Sequence, residues 1–176
     1  YVGIDFGTST TVVSYSYFDN EKRIVVTEVM NLRQKQSDGA DFTGEKVPTV
    51  IALYHNRVLV GEGAANLKYE LEKNKDVWYS FKMELGEDLG AKYCNSILGK
   101  DKSVRIQNAK DATILFFRFL KKEIESYVEQ KGLCQNIKYA VSIPASFEAN
   151  QRRDLVDALI SNQMDVSKQS LIDEPN

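Results

Sequence analysis

Apolar and polar positions alternate along the first thirty residues, and the apolar ones are mostly β-branched or aromatic. Runs at Tyr1 to Phe6, Thr11 to Phe18 and Ile24 to Met30 each predict a strand, and in succession an antiparallel meander of three. The connection Gly7-Thr8-Ser9-Thr10 is small and hydroxyl-rich, while Asp19-Asn20-Glu21-Lys22 is a polar hairpin turn. Polarity rises from Asn31 to Lys46, where Ser37-Asp38-Gly39-Ala40-Asp41 predicts an exposed loop and a natural point of insertion. Two further extended runs, Val50 to Tyr54 and Val58 to Val60, flank His55-Asn56-Arg57 and lead through Gly61-Glu62-Gly63 into a helix expected over Ala64 to Lys73.

The second half changes period. From Asp111 to Lys131 the apolar residues Ile114, Phe117, Leu120, Ile124 and Tyr127 recur at steps of three and four, which predicts a helix with Asp111 as N-cap and Gly132 as its stop. Ile137 to Ile143 is a short apolar run closed by Pro144, expected as a buried strand that feeds a helix over Glu148 to Gln163. Ser167 to Ile172 is expected as a last strand, and Val104 to Ile106 as another in the less regular stretch 74–108. Three strands, an insertion, then helix, strand, helix and strand predict an α/β chain: a mixed five-stranded sheet with helices on its faces and a smaller inserted subdomain.

Composition narrows the function more than the fold. The chain has 176 residues, 43% hydrophobic and 27% charged, against roughly 150 per domain, so one globular domain with a self-sufficient core is expected. With 23 basic and 25 acidic residues and a net charge of −2, no basic face for nucleic acid or an anionic membrane is expected. Cys94 and Cys134 lack companions at metal-ligand spacing, which points to free thiols and a reduced, cytoplasmic setting. Because the chain opens at Tyr1 and stops at Glu174-Pro175-Asn176, it reads as a piece cut at both ends.

The chemistry-bearing candidate is Gly3-Ile4-Asp5-Phe6-Gly7-Thr8-Ser9. A carboxylate near a strand end, followed at once by a Gly-hydroxyl turn, can present backbone N–H groups and the Thr8 hydroxyl to phosphate oxygens, each such bond contributing roughly 1.5–3 kcal/mol. Asp5 would then face the accompanying metal, and magnesium, which keeps most of its waters, needs only one or two carboxylates. The same seven residues also suit a plain hairpin turn with an exposed Asp. His55, in a turn without a neighbouring ligand, reads as a surface residue; Phe116, Phe117 and Phe119 read as helical core, and Lys121-Lys122 as a solvated face.

Agreement among distant segments separates the two readings. Gly3 to Ser9 resembles the first phosphate motif of the 70-kDa heat-shock chaperone family. Val47-Pro48-Thr49-Val50, Leu59-Val60-Gly61-Glu62-Gly63-Ala64, Ser142-Ile143-Pro144-Ala145-Ser146-Phe147 with Gln151-Arg152-Arg153, and Leu171-Ile172-Asp173-Glu174-Pro175 resemble its later segments in order. The resemblance implies the first lobe of an actin-like, ribonuclease H-like ATPase, with a core subdomain at 1–34 and 109–176 and an inserted one at 35–108. It implies ATP or ADP with Mg²⁺ as ligands; Gly7, Thr8 and Ser9 at the phosphates; Asp5 and Glu174 ordering the metal's waters; and Lys82, in Phe81-Lys82-Met83-Glu84-Leu85-Gly86, as the catalytic lysine beside Asp5 and Glu174. Pro144 and Arg152 would relay nucleotide state to a peptide-binding domain, although Arg152 also fits a salt-bridged helix like that expected for Arg153 and Asp157. Implied partners are a second lobe, unfolded peptide clients and co-chaperones, with no role for nucleic acid or membrane.

Departures from the family pattern fall at Met83-Glu84, Ser146 and Asp173, and the loop from Ser37 to Lys46 looks expanded. The family's second phosphate motif, Asp-Leu-Gly-Gly-Gly-Thr, does not occur in these residues. Half a site leaves nucleotide wet and its electrostatic contacts weak, so the piece alone is expected to bind ATP no better than about millimolar, about 4 kcal/mol, and to hydrolyse it negligibly. The alternatives are another actin-like enzyme, such as a small-molecule kinase or dehydratase activator, or a filament-forming or scaffolding relative that uses nucleotide structurally.

Overall fold

A computed structural model describes residues 1–87, 93, 96–98, 104–164 and 171–174. The meander forms as the alternation predicts: β1 (Val2–Phe6), β2 (Thr10–Asp19) and β3 (Ile24–Val29), each antiparallel to the next. In β1 the residues Val2, Ile4 and Phe6 are buried, whereas Gly3 and Asp5 lie on the other face, as the two-residue period requires. Between β3 and the next helix come a hairpin of β4 (Leu32–Lys35) and β5 (Asp41–Gly44), then β6 (Lys46–Pro48), β7 (Val50–Tyr54) and β8 (Arg57–Val60). The expected loop at 37–41 is therefore only the tip of a hairpin, closed by the Gln36 N–H on the Ala40 carbonyl and by Asp38 Oδ1 accepting from the Ala40 N–H. At the β7–β8 turn, His55 and Asn56 both adopt left-handed backbone, with φ of 50° and 59°, matching the twist of the paired strands. His55 is exposed there, its ring edge-on to Tyr54.

The helix expected over 64–73 is α1, Glu62–Asn66, and turns follow it. Ala64 and Leu67 bury themselves, but Lys68-Tyr69-Glu70 continues with no apolar stripe to pack, so the tertiary contacts that sustain a short helix stop there. β9 (Val77–Tyr79) completes a small sheet, β8-β7-β9, with its own cluster of Val50, Ala52, Leu59, Ala64, Leu67 and Val77. A 3₁₀ turn at Phe81–Glu84 follows, and β10 (Ser96–Leu98) pairs with β11 (Val104–Ile106). Cys94 lies outside the described residues; Cys134 is a free, exposed thiol.

The long helix, α2 (Ala109–Gln130), begins one turn earlier than its apolar pattern indicates. Asn108, rather than Asp111, is the N-cap: its side chain accepts from the Asp111 N–H at 2.8 Å, while Asp111 Oδ2 accepts from the Gln107 N–H. At the other end Gly132 (φ 65°) donates to the Glu129 carbonyl and Leu133 to that of Val128, a Schellman closure that confirms the glycine as the stop. β12 (Tyr139–Ile143) then leads to α3 (Ala149–Ser161), whose cap Glu148 exchanges hydrogen bonds with Gln151, and β13 (Leu171–Asp173) is the last strand. Of the expected strand at 167–172, residues 167–170 lie outside the described residues.

The main sheet is mixed, in the order β13-β12-β1-β2-β3, and it has six strands where five are expected, because β6 returns to pair with β2 at Thr10 to Val12. β1, β12 and β13 run parallel, and β2, β3 and β6 antiparallel to their neighbours. Instead of helices on both faces, α2 and α3 pack together over the face of Val2, Ile4, Phe6, Val141 and Ile143. Gly3, Asp5, Ala140 and Ser142 face the other way and are only partly covered, so β12 buries one face rather than two. The centre of the core is aromatic: Phe6 meets Phe117 edge-on at 5.0 Å and stacks on Phe116 at 5.9 Å, and Phe81 joins them from the 3₁₀ turn. No helix among the described residues is long and apolar enough to cross a membrane.

Candidate functional site

Parallel pairing of β1, β12 and β13 brings their carboxyl ends to one edge, the place where ligands of such sheets gather. Asp5 stands near the end of β1 in register with Ser142 of β12, whose hydroxyl donates to Asp5 Oδ1 at 2.9 Å. Glu174 follows β13, and its backbone N–H donates to the Ile143 carbonyl at 2.7 Å, which holds it beside the end of β12. Lys82 arrives from the 3₁₀ turn at Phe81–Glu84. Its ammonium donates to the Phe6 carbonyl at 2.5 Å and lies 3.5 Å from Glu174 Oε1. Sequence segments centred on residues 5, 82 and 174 thus meet at one place.

Lys82 is only 3% exposed, unusual for an ammonium, and the structure compensates its charge locally. Besides the carbonyl and the carboxylate, the rings of Phe6 and Phe147 lie 5.6 and 5.7 Å from Nζ, within cation–π range. Left-handed backbone at Ser80 (φ 61°) and Gly86 (φ 76°) brackets the 3₁₀ turn, bending the chain so that Phe81 enters the core and Lys82 the edge of the sheet. Tyr93 braces the same turn by donating to Glu84 Oε2 at 2.6 Å; burial, reinforced by that hydrogen bond, pushes its hydroxyl far above the usual phenol range.

The turn from Gly7 to Thr10 is tighter than its composition reveals. A Cβ on Gly7 would fall 2.1 Å from the Thr10 carbonyl oxygen, so only glycine fits. Thr49, which follows β6, straps the turn from outside: its hydroxyl donates to the Gly7 carbonyl at 2.9 Å, its N–H to the Ser9 carbonyl at 2.9 Å, and its oxygen also lies 2.9 Å from the Thr11 hydroxyl. Thr11 and Thr49 are both fully buried, which makes these hydroxyl contacts costly to lose. Thr8 is half-buried and Ser9 exposed at the turn's outer side.

Pro144 closes β12, and its carbonyl accepts from the Phe147 N–H. Arg152 is half-buried in α3, donating from Nη2 to Asp173 Oδ1 at 2.7 Å and from Nε to the Phe147 carbonyl. The expected Arg153–Asp157 pair does not form: Asp157 takes Lys110 of α2 at 2.8 Å, and Arg153, 70% exposed, lies 4.0 Å from Asp154. Asp173 beside Glu174 is therefore an ion-pair partner for Arg152, tying the end of β13 to α3.

Among the described residues no three of His, Cys, Asp or Glu come together as a metal cage. The donors at the edge, Asp5 and Glu174, are the kind that hold a hydrated magnesium through its waters rather than directly. Sequence reasoning assigned no role to Ser142 and Thr49, although both lie in segments that carry the resemblance, nor to Asn150 and Asp154, which hydrogen-bond the backbone of Gly86. Their roles come from strand register and from one helix face meeting a distant turn, which no local spacing records.

A cleft of about 360 Å³ lies at the opposite end of the parallel strands, lined by Glu125, Val128, Glu129, Gln135 and Ile137. It shares no residue with the Lys82 cluster.

No protein-family model matches the chain. A similar curated protein is the chaperone protein DnaK of Mycoplasmopsis agalactiae (strain NCTC 10123 / CIP 59.7 / PG2), 25% identical over 151 residues. The match covers 86% of this chain and 20% of that protein's length. At this identity the similarity supports, at most, a relationship to the 70-kDa heat-shock family.

Proposed function

We propose that the chain supplies half of a nucleotide site, as the first lobe of an actin-like ATPase domain of the 70-kDa heat-shock chaperone type. The observation that carries the reading is the meeting of the Gly7–Thr10 turn, Lys82 and Glu174 at the carboxyl edge of β1, β12 and β13. In this reading residues 1–34 and 109–176 are a core subdomain and 35–108 an insertion that lends Lys82 to the core. Thr8 and the turn's backbone N–H groups receive phosphate oxygens, and Asp5 and Glu174 order waters of a bound Mg²⁺. When bound, that ion neutralises phosphate charge.

The Lys82 ammonium then has two roles. It holds the end of β1 through the Phe6 carbonyl, and it offers its charge to the terminal phosphate; at about 4 Å and an effective dielectric near 20 such a contact is worth about 4 kcal/mol. Because the ion pair with Glu174 is partly open, with the glutamate side chain 38% exposed, an arriving phosphate can compete for the ammonium without a core rearrangement. Within a longer protein, a second lobe closes the site, hydrolysis follows, and Pro144 with Arg152 carries nucleotide state toward a domain that holds unfolded peptides, in concert with co-chaperones.

The test is an NMR titration of the chain with Mg·ATP. The expected result is an affinity no tighter than about millimolar, with shifts confined to Gly3 to Thr11, Lys82, Ser142 to Ile143 and Leu171 to Glu174, and lost in Lys82→Met. Micromolar binding, or shifts centred on the cleft at Glu125 and Glu129, would overturn the reading.

A further inference from the structure

Lys82 is anchored from behind. Four residues on, Gly86 gives both of its backbone polar groups to the first two turns of α3: its N–H donates to Asp154 Oδ2 at 2.9 Å, and its carbonyl accepts from Asn150 Nδ2 at 2.9 Å. The approach is close, since a Cβ on Gly86 would come 2.8 Å from Asn150 Cγ and 2.9 Å from the Gln151 nitrogen, in addition to the strain at φ 76°. The helix is itself fixed at this end, by the exchange between Glu148 and Gln151 and by Arg152 on Asp173. A single 3₁₀ turn has little stability of its own, and a lysine side chain loses much rotamer freedom when held in one place. Where the ammonium sits therefore depends on what grips the turn.

We propose that Asn150 and Asp154 are positioning residues that place the Lys82 ammonium on the Phe6 carbonyl and Glu174, acting through the backbone of Gly86. One stretch of α3, residues 150–154, thereby sets two members of the candidate site at once, Lys82 through Gly86 and Glu174 through the Arg152–Asp173 pair. The consequence for phosphate chemistry rests on the nucleotide reading above, but the placement of the amine is measurable without nucleotide.

The experiment is reductive methylation of the chain with formaldehyde and dimethylamine–borane, each lysine's rate being read by peptide mass spectrometry. In the parent, Lys82 is expected to react far more slowly than Lys121 and Lys131 on α2. Asp154→Ala removes a charged acceptor and is expected to raise the Lys82 rate about tenfold, with Lys121 and Lys131 unchanged. Asp154→Asn keeps an acceptor oxygen and is expected to return the rate to within about threefold of the parent, and a urea melt of each variant reads any global loss of stability separately. Asn150→Ala, which raises helix propensity at a half-buried position, is expected to give a smaller increase and serves if Asp154→Ala does not fold. A Lys82 rate that stays at the parent value in these variants, or that rises only in step with every other lysine, overturns the proposal. Repeating the parent reaction at a Mg·ATP concentration that the NMR titration shows to occupy the site separates the two ideas. If nucleotide leaves Lys82 unprotected, the nucleotide reading fails, while the variant rates still decide the anchoring.

Discussion

The two ends of the parallel strands contrast in what they gather. At the carboxyl end a lysine, two carboxylates, a strapped glycine turn and two hydroxyls come from five separate stretches of sequence and satisfy one another. At the amino end a cleft of about 360 Å³ holds Glu125 and Glu129 on one helix, and nearby the Tyr139 hydroxyl is buried without a hydrogen-bond partner among the described residues. Burial, with the Glu125 charge as the lesser cause, pushes that hydroxyl up to about 12. The lesson is that volume does not locate chemistry; opposite charges drawn together across long sequence separations do.

Phe6 joins the contrast to the core, because its ring sits among Phe81, Phe116 and Phe117 while its carbonyl receives Lys82. Phe6→Ala should therefore cost about 3–5 kcal/mol in urea denaturation and broaden the amide signals of residues 81–86 before those of the amino end. A cost below about 1 kcal/mol would show the two to be independent.

Gly7→Ala tests the carboxyl end alone. The added methyl meets the Thr10 carbonyl oxygen, so the turn must open against the Thr49 strap, for an expected loss of about 2–3 kcal/mol. Amide hydrogen exchange should rise at Gly7 to Thr11 and Thr49 and stay unchanged at Tyr139. Uniform exchange across both ends would erase the distinction.

The smallest effect is expected at the amino end. Near neutral pH Tyr139→Phe should change stability by less than about 1 kcal/mol, because the hydroxyl it removes has no partner to lose. Since the folded-state pKa is raised from 10.0 to about 12, the folded protein holds the proton longer than the unfolded chain. Stability is therefore full below pH 10 and falls as pH climbs through 12. Tyr15 and Tyr93, also raised by their carboxylate neighbours and by burial, contribute in the same direction. Urea melts on either side of that window should show a shallower alkaline decline in the variant; an unchanged slope would mean Tyr139 does not titrate there.

Period, turn chemistry and caps carried much of the architecture on their own. The meander of β1 to β3, the Gly132 stop, β12 closed by Pro144 and the Glu148 start of α3 all follow from interactions within a few residues, which local sequence encodes directly. The misplaced features have other causes. Asn108 replaces Asp111 as cap because the apolar pattern begins a turn inside the helix, α1 stops when tertiary support ends, and β6 joins the main sheet by pairing with β2 more than thirty residues earlier.

The candidate site divides along the same line. Sequence alone marked Asp5, Gly7, Thr8, Ser9, Lys82 and Glu174 as residues of the right chemistry, through motifs and a family resemblance. Only the tertiary structure decided that Lys82 reaches the Phe6 carbonyl and Glu174, that Ser142 and Thr49 hold the acid and the turn, and that Arg152 is spent on Asp173. A residue's chemistry is a local property, whereas its partner is set by strand register and helix packing over separations of 42 to 137 residues for Thr49 and Ser142, distances at which no sequence period survives.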